Sequence, residues 1–320
     1  MRKKRLAAAF AAASLIMAGS VALASPAHAD VACGSYSSSS STCVNSNLVI
    51  GGTSYNVDWY LPNGTASALM TLQHGFSRGC GNLRNTSKSI AEKGVMVLCL
   101  NADMTGGNQS LGNAFGDLLN SRAITPPAGK PLPVNYIVGG HSAGGHFASV
   151  VGARLHTNGY ANLKGAVLFD AVASGGFSAN VQAISNGGAR KVLAVAARPS
   201  LANLTNNSFG ALKDLPGEYV GIQLVWTGFF IGIPYGGSCH TDVEGENGDF
   251  IGNTAAGCTP NSTQVSRLRD FGSTWAKDLA TGSTTSAYYC TNEDVLSTCG
   301  SKVRDLVVRT LPVAATIQAS

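Results

Sequence analysis

The sequence predicts an α/β fold, a central and mostly parallel sheet with helices on both faces. Three observations point there. Short apolar runs recur without strand-like alternation, at Val95–Leu100, Gly165–Phe169 and Lys191–Ala197, as expected of strands covered on both sides. Stretches of helical character separate them, and strand, helix, strand at this spacing implies right-handed parallel crossovers. Between the apolar Tyr136-Ile137-Val138 and a helix-like run from Gly145 to Leu155 stands Gly140-His141-Ser142-Ala143-Gly144. That is the pattern of a sharp strand-to-helix turn presenting a serine above the sheet.

The elements follow in order. Arg2-Lys3-Lys4-Arg5, an apolar stretch from Leu6 to Leu23 and Ala27-His28-Ala29 read as a secretory signal peptide over residues 1–29. The mature chain is therefore expected to start at Asp30, to be extracellular and to keep no stable membrane anchor. Residues 30–46, Ser-rich between Cys33 and Cys43, read as a surface loop closed by a disulfide. Leu48–Ile50 and Tyr55–Tyr60 read as two strands joined by Gly51-Gly52, and Pro62-Asn63-Gly64 ends the second. Ala68–Leu72 is a short buried strand running into Gln73-His74-Gly75-Phe76. Asn82–Lys93 reads as a helix capped by Gly94, and a second short helix is expected around Phe115–Arg122. A Pro-rich loop then delivers the chain to the elbow strand.

Beyond the elbow helix, Gly165–Phe169 is a strand with Asp170 at its carboxyl end, followed by strands at Lys191–Ala197 and Tyr219–Trp226. The apolar stretch Trp226–Tyr235 reads either as a substrate-contacting wall or as a core strand continuing into a buried loop. Thr263–Leu279 carries Val265, Leu268, Phe271, Trp275 and Leu279 near helical spacing, which predicts core packing. With no internal repeat and no long linker, residues 30–320 are read as one catalytic domain.

About 290 mature residues, in a chain 44% hydrophobic, suffice for one large core. Four of the 22 basic residues lie in the leader, so the mature chain carries 18 basic against 17 acidic residues, a formal charge of +1. That balance gives no reason to expect nucleic acid or an anionic membrane as partner. The expected partner is a small or polymeric substrate, and a monomer is expected. Eight cysteines at 33, 43, 80, 99, 239, 258, 290 and 299 in an exported chain read as disulfides, with nearest-neighbour pairing the working hypothesis. None has Cys-x-x-Cys spacing, and no metal or organic cofactor is implied.

Taken together, Gln73-His74-Gly75-Phe76, Gly140-His141-Ser142-Ala143-Gly144-Gly145, Phe169-Asp170 and Cys239-His240 resemble the α/β-hydrolase superfamily. The resemblance covers most of the mature chain. It implies the chain order serine, acid, histidine. It also implies an oxyanion hole from two backbone N–H groups, assigned to Phe76 after the third strand and Ala143 after the nucleophile. Ser142 is then the nucleophile. Of the histidines after it, His146 and His156 fall on or just beyond the elbow helix and are expected to be structural or on the surface, which leaves His240 as base. Asp170 is the favoured acid, with Asp214, Asp242 and Asp103 open alternatives. An acid after the strand that follows the elbow is similar to the arrangement in chlorophyllase-like and platelet-activating-factor acetylhydrolase-like members. The export signal with a Gly-His-Ser-Ala-Gly box also resembles the secreted medium-chain-length polyhydroxyalkanoate depolymerases. The expected activity is a serine carboxylic-ester hydrolase acting on lipid-like or aliphatic polyester substrates. A peptidase or amidase on the same scaffold is the alternative, and a non-catalytic binding protein the more distant one.

Overall fold

The structure, a computed structural model, describes residues 33–217, 219–246, 250–291 and 296–318. Residues 1–29, expected to be a signal peptide, lie outside the described residues. The strands are β1 (Ser41–Ile50), β2 (Thr53–Pro62), β3 (Leu69–Gln73), β4 (Met96–Leu100), β5 (Tyr136–His141), β6 (Leu163–Phe169), β7 (Lys191–Ala196), β8 (Tyr219–Leu224), β9 (Trp226–Phe230), β10 (Ile233–Gly237) and β11 (Ala314–Gln318). Nine of them form one sheet in the order β1-β2-β4-β3-β5-β6-β7-β8-β11. From β4 to β8 every neighbouring pair is parallel, while β1, β2 and β11 add antiparallel edges. This is the α/β-hydrolase fold, with the strand order reversing around β3 and β5. Such a switch point opens a crevice at the carboxyl ends of the strands.

The helices are α1 (Arg84–Ala91), α2 (Gln109–Ser121), α3 (Ala143–Thr157), α4 (Phe177–Ser185), α5 (Phe209–Lys213), α6 (Phe250–Ala256), α7 (Ser262–Thr281) and α8 (Ser301–Val307). Successive strand residues point to opposite sheet faces, and the parallel strands feed two cores accordingly. Tyr136 and Val138 join Phe115, Phe147, Val151 and Phe177 under α2, α3 and α4. Ile137 between them joins Ile90, Phe271 and Trp275 under α1 and α7. The runs are continuously apolar because both faces are covered. Helix α7 is capped at its start by Asn261, whose Oδ1 accepts from the Thr263 and Gln264 amides. At its end Gly282 takes a left-handed φ of 67°. Its five predicted core residues are all buried.

Three elements differ from expectation. Residues 41–46 are not loop: β1 begins at Ser41 and pairs with β2 along its whole length. Its alternating exposure is that of an edge strand, whose polar residues face water and so carry no apolar signal. Trp226–Tyr235 is neither a core strand nor a buried loop. It forms the two-stranded antiparallel hairpin β9–β10, with Phe230, Ile231, Ile233 and Tyr235 exposed. The closing strand β11 pairs antiparallel with β8, a long-range pairing that no local pattern announces. The four disulfides, Cys33–Cys43, Cys80–Cys99, Cys239–Cys258 and Cys290–Cys299, are the nearest-neighbour pairs. Among the described residues no helix is long and apolar enough to cross a membrane.

Candidate active site

Strand β5 delivers His141 and Ser142 to the crevice, and α3 starts at the next residue. Ser142 has φ 55° and ψ −126°, backbone that L-residues seldom adopt. Its surroundings hold it there. The Ser142 amide donates to the Phe169 carbonyl at 3.1 Å, and its own carbonyl accepts from Gly145 at 2.9 Å and Val172 at 3.0 Å. The flanking glycines are required by close approach: a Cβ at Gly140 would collide with the Gly144 carbonyl, and one at Gly144 with the carbonyls of Gln73 and His74. The same crowding presses the loop after β3 against Ser142, since a Cβ at Gly75 would stand 2.8 Å from the Ser142 Cβ. Phe76 follows immediately, and Ala143 is the first residue of α3, where helical N–H groups lack intrahelical partners.

Asp170 ends β6 with a left-handed φ of 45° and is buried. Its amide donates to the Val195 carbonyl at 2.7 Å. Oδ1 accepts from the Ala197 amide at 3.1 Å, and Oδ2 accepts from the Asn203 side-chain amide at 3.1 Å. The same Oδ2 lies 2.6 Å from Nδ1 of His240. A carboxylate so held fixes the imidazole tautomer with Nδ1 protonated and leaves Nε2 as the basic nitrogen. His240 opens a 3-10 turn over His240–Glu244, next to the Cys239–Cys258 disulfide.

The other carboxylates stand elsewhere. Asp103 accepts from Thr105 within its own loop, and Asp214 follows α5. Asp242 is buried and accepts from the Cys239 amide at 2.6 Å and from the Asn261 amide; burial pushes it up to about 6 despite those bonds. It braces the chain around the disulfide and does not reach the imidazole. His146 is buried beside Phe177, where Nδ1 accepts from the Ser174 amide at 3.4 Å, and His156 meets Arg190 near the amino end of β7.

Four contributing residues escaped the sequence reading. Asn203, in the loop after β7 that lacks a carboxylate before Asp214, supports Asp170 by donating its side-chain amide to Oδ2. His141, Glu244 and Arg78 form a buried cluster. Arg78 grips Glu244 through Nε at 2.6 Å and Nη2 at 2.7 Å. His141 places Nδ1 3.4 Å from Glu244 Oε1 and Nε2 3.0 Å from the His240 carbonyl, with its ring 4.4 Å from the His240 ring. Burial raises the Glu244 pKa, but the bonds and charges of His141 and Arg78 outweigh it and hold the carboxyl at about 2. Only the position of His141 beside the serine hinted at this cluster.

The rim of the crevice carries exposed apolar side chains and few charges, Arg198 just after β7 and the exposed Asp103 after β4 among them. Phe76 after β3, Leu201 after β7, and Phe230, Ile231, Ile233 and Tyr235 after β8 are exposed. Segments 171–189, 199–212 and 226–238, which follow β6, β7 and β8, contain no acidic, basic or histidine residue. A separate open cleft of about 680 Å³, lined by Lys164, Arg190 and Lys191, sits at the amino ends of β6 and β7, away from the serine. Among the described residues no cluster of His, Cys, Asp or Glu is arranged to hold a metal ion.

No family model matches the chain, and no curated protein does. Solved structures resemble it at low identity. Carboxyl esterase 2 from the mycorrhizal fungus Tuber melanosporum is 16% identical over 77% of this chain and 89% of its own, with a TM-score of 0.48. Dienelactone hydrolase from Anabaena variabilis is 14% identical over 55% of this chain and 82% of its own, at 0.43. Esterase Est22 is 18% identical over 42% of this chain, at 0.36, and this chain spans only 46% of that esterase's length.

Proposed function

We propose that the chain is a serine carboxylic-ester hydrolase using Ser142, His240 and Asp170. The observation that carries this reading is the 2.6 Å Asp170–His240 contact on the segment beside a serine held at a left-handed φ. His240 takes the Ser142 proton on Nε2 as Oγ attacks the ester carbonyl. The backbone N–H groups of Phe76 and Ala143 receive the oxyanion, and the His240 imidazolium gives its proton to the departing alcohol. Water, deprotonated by the same histidine, then releases the acid from Ser142. Asp170 stays ionised throughout and stabilises the imidazolium.

The substrate class follows from the rim. Loops with few charges and with large apolar side chains turned outward favour a neutral, apolar acyl or polymer chain, such as a medium-chain aliphatic polyester, over a charged peptide. Four disulfides fit an extracellular site of action. The test is hydrolysis of p-nitrophenyl esters from acetyl to palmitoyl, beside clearing of a medium-chain polyhydroxyalkanoate suspension, by the native protein and Ser142→Ala. Clearing and a medium-chain optimum, both lost in the variant, are expected. Ester cleavage without clearing refutes the polymer assignment, and cleavage of amides but not esters refutes the ester assignment.

A further inference from the structure

Arg198 lies just past the end of β7, at the carboxyl end of the sheet where the crevice opens. The main chain around it joins the Asp170 carboxylate to the segment that carries His240. The Ala197 amide before it donates to Asp170 Oδ1 at 3.1 Å, and its own amide donates at 2.8 Å to Oγ of Ser238, two residues before His240. Its carbonyl accepts from the Asn203 side chain at 2.9 Å. With the backbone pinned, the half-buried side chain lies over the Trp226 ring, its Cζ 5.2 Å from the ring centroid. It also rests on Gly237, where a Cβ would stand 2.5 Å from Cζ.

This guanidinium has no anion. Among the described residues its nitrogens make no hydrogen bond and no ion pair. The carboxylates of the surrounding loops are engaged elsewhere: Asp170 with Ala197, Asn203 and His240, Asp242 with the Cys239 and Asn261 amides, Asp103 with Thr105, and Glu244 with Arg78. Segments 199–212 and 226–238 beside it contain no acidic residue. The base of the β9–β10 hairpin is held by other groups. Arg267 of α7 donates Nη1 to the Trp226 carbonyl at 2.9 Å and Nη2 to the Thr227 carbonyl at 3.1 Å, and the Ser238 amide donates to the Val225 carbonyl at 2.8 Å. Arg198 therefore keeps its N–H donors for an acceptor from outside. A planar guanidinium fork matches a carboxylate through two parallel bonds, and an indole against one face shields it from water and strengthens a charge pair made at its edge.

We propose that Arg198 is a specificity-determining residue that seats the terminal carboxylate of an acid-ended oligoester, so that short hydroxy-acid oligomers, the pieces released when a polyester is cut, are preferred over neutral esters of the same length. The substrate role rests on the ester-hydrolase reading, whereas the carboxylate site does not. The apolar loops contact the body of the chain, and the cation set among them reads its end, in the way a single placed polar group orients a ligand in an apolar site.

Two measurements test this with the linear trimer of 3-hydroxyhexanoic acid, as the free acid and as its neutral N-methylamide, at pH 7 where the carboxylate is ionised. The first reads binding by calorimetry in the Ser142→Ala protein, which requires no turnover. The acid is expected to bind about tenfold more tightly than the amide, and adding Arg198→Gln is expected to bring the two to within about twofold of each other. The second reads kcat/KM for cleavage of the internal esters in the Ser142 protein. The acid-to-amide ratio should fall by about the same factor in Arg198→Gln, and Arg198→Lys, which keeps the charge without the planar fork, should restore part of it. A loss of packing or folding acts on both trimers and cancels in the ratio. A ratio equal in the native and Arg198→Gln proteins overturns the proposal, and so does a native protein that does not prefer the acid. If the acid binds through Arg198 but neither trimer is cleaved, the ester-hydrolase reading fails while the carboxylate site stands.

Discussion

Asp170 takes its place through backbone as much as through charge. A left-handed φ at the end of β6 turns its carboxylate toward His240, and Asn203 and the Ala197 amide keep it there. Asp170→Asn preserves the shape but presents an amide that donates to the imidazole and selects the wrong tautomer. It should therefore cut kcat by about a thousandfold or more with KM little changed, measured on a soluble ester. Glu244 makes a prediction about stability. Its carboxyl is held at about 2, below its ordinary 4.5, so its ionised form is favoured by folding. That contribution is complete above pH 4.5 and is lost as the pH falls toward 2. The melting temperature of the native protein should fall across that window more steeply than that of Glu244→Gln. The variant should in turn be less stable at neutral pH, because the buried Arg78 loses its two charged bonds to Glu244.

At the scale of elements, the elbow was legible because its glycines answer a steric demand that few other residues meet. The start of α3 presses so closely on β5 at position 140, and on the end of β3 at position 144, that both exclude a Cβ. The buried parallel strands were legible for the opposite reason, since two covered faces leave a continuous apolar run. The segment around His240 was only half legible. His240 could be chosen by chain order, but the turn that carries it is held by partners far along the chain: the Cys258 disulfide, the Asn261 amide on Asp242, and Arg78 on Glu244. Replacing Cys239 and Cys258 together by serine should lower stability by about 3 kcal/mol, the order expected for a loop of 19 residues. It should also reduce kcat more than it weakens soluble-ester binding, because the turn bearing His240 loosens. Chemical denaturation and steady-state kinetics on the same preparation separate the two effects.

For the molecule as a whole, the sheet gathers loops from β3, β6, β7 and β8 at one end, and those loops share one character. They are nearly devoid of charge, and they expose Phe76, Leu201 and the β9–β10 hairpin tip. Each exposed apolar side chain covered by a substrate surface contributes about 1.5–3 kcal/mol. Replacing Phe230, Ile231 and Ile233 together by serine should weaken adsorption of the Ser142→Ala protein to polyester particles at least tenfold. In the Ser142 background, hydrolysis of p-nitrophenyl butyrate should remain within about twofold of native. Equal adsorption with and without the three side chains would separate the hairpin from substrate capture.

The sequence by itself determined the fold class, the elbow and the core face of α7, and it offered the nearest-neighbour cysteine pairs and the set Ser142, Asp170 and His240 as working hypotheses. Those features are local: periodicity, sterically forced glycines and short loop closures are written in neighbouring residues. Tertiary structure alone decided that β1 extends through Ser41, that β11 closes the sheet and that Trp226–Tyr235 projects as an exposed hairpin. It also decided that Asn203 supports Asp170 and that Arg78, His141 and Glu244 meet. Outside the hairpin, whose strands pair locally, the partner lies tens to hundreds of residues away, and the polar side chains involved look the same in sequence whether they face water or a buried charge.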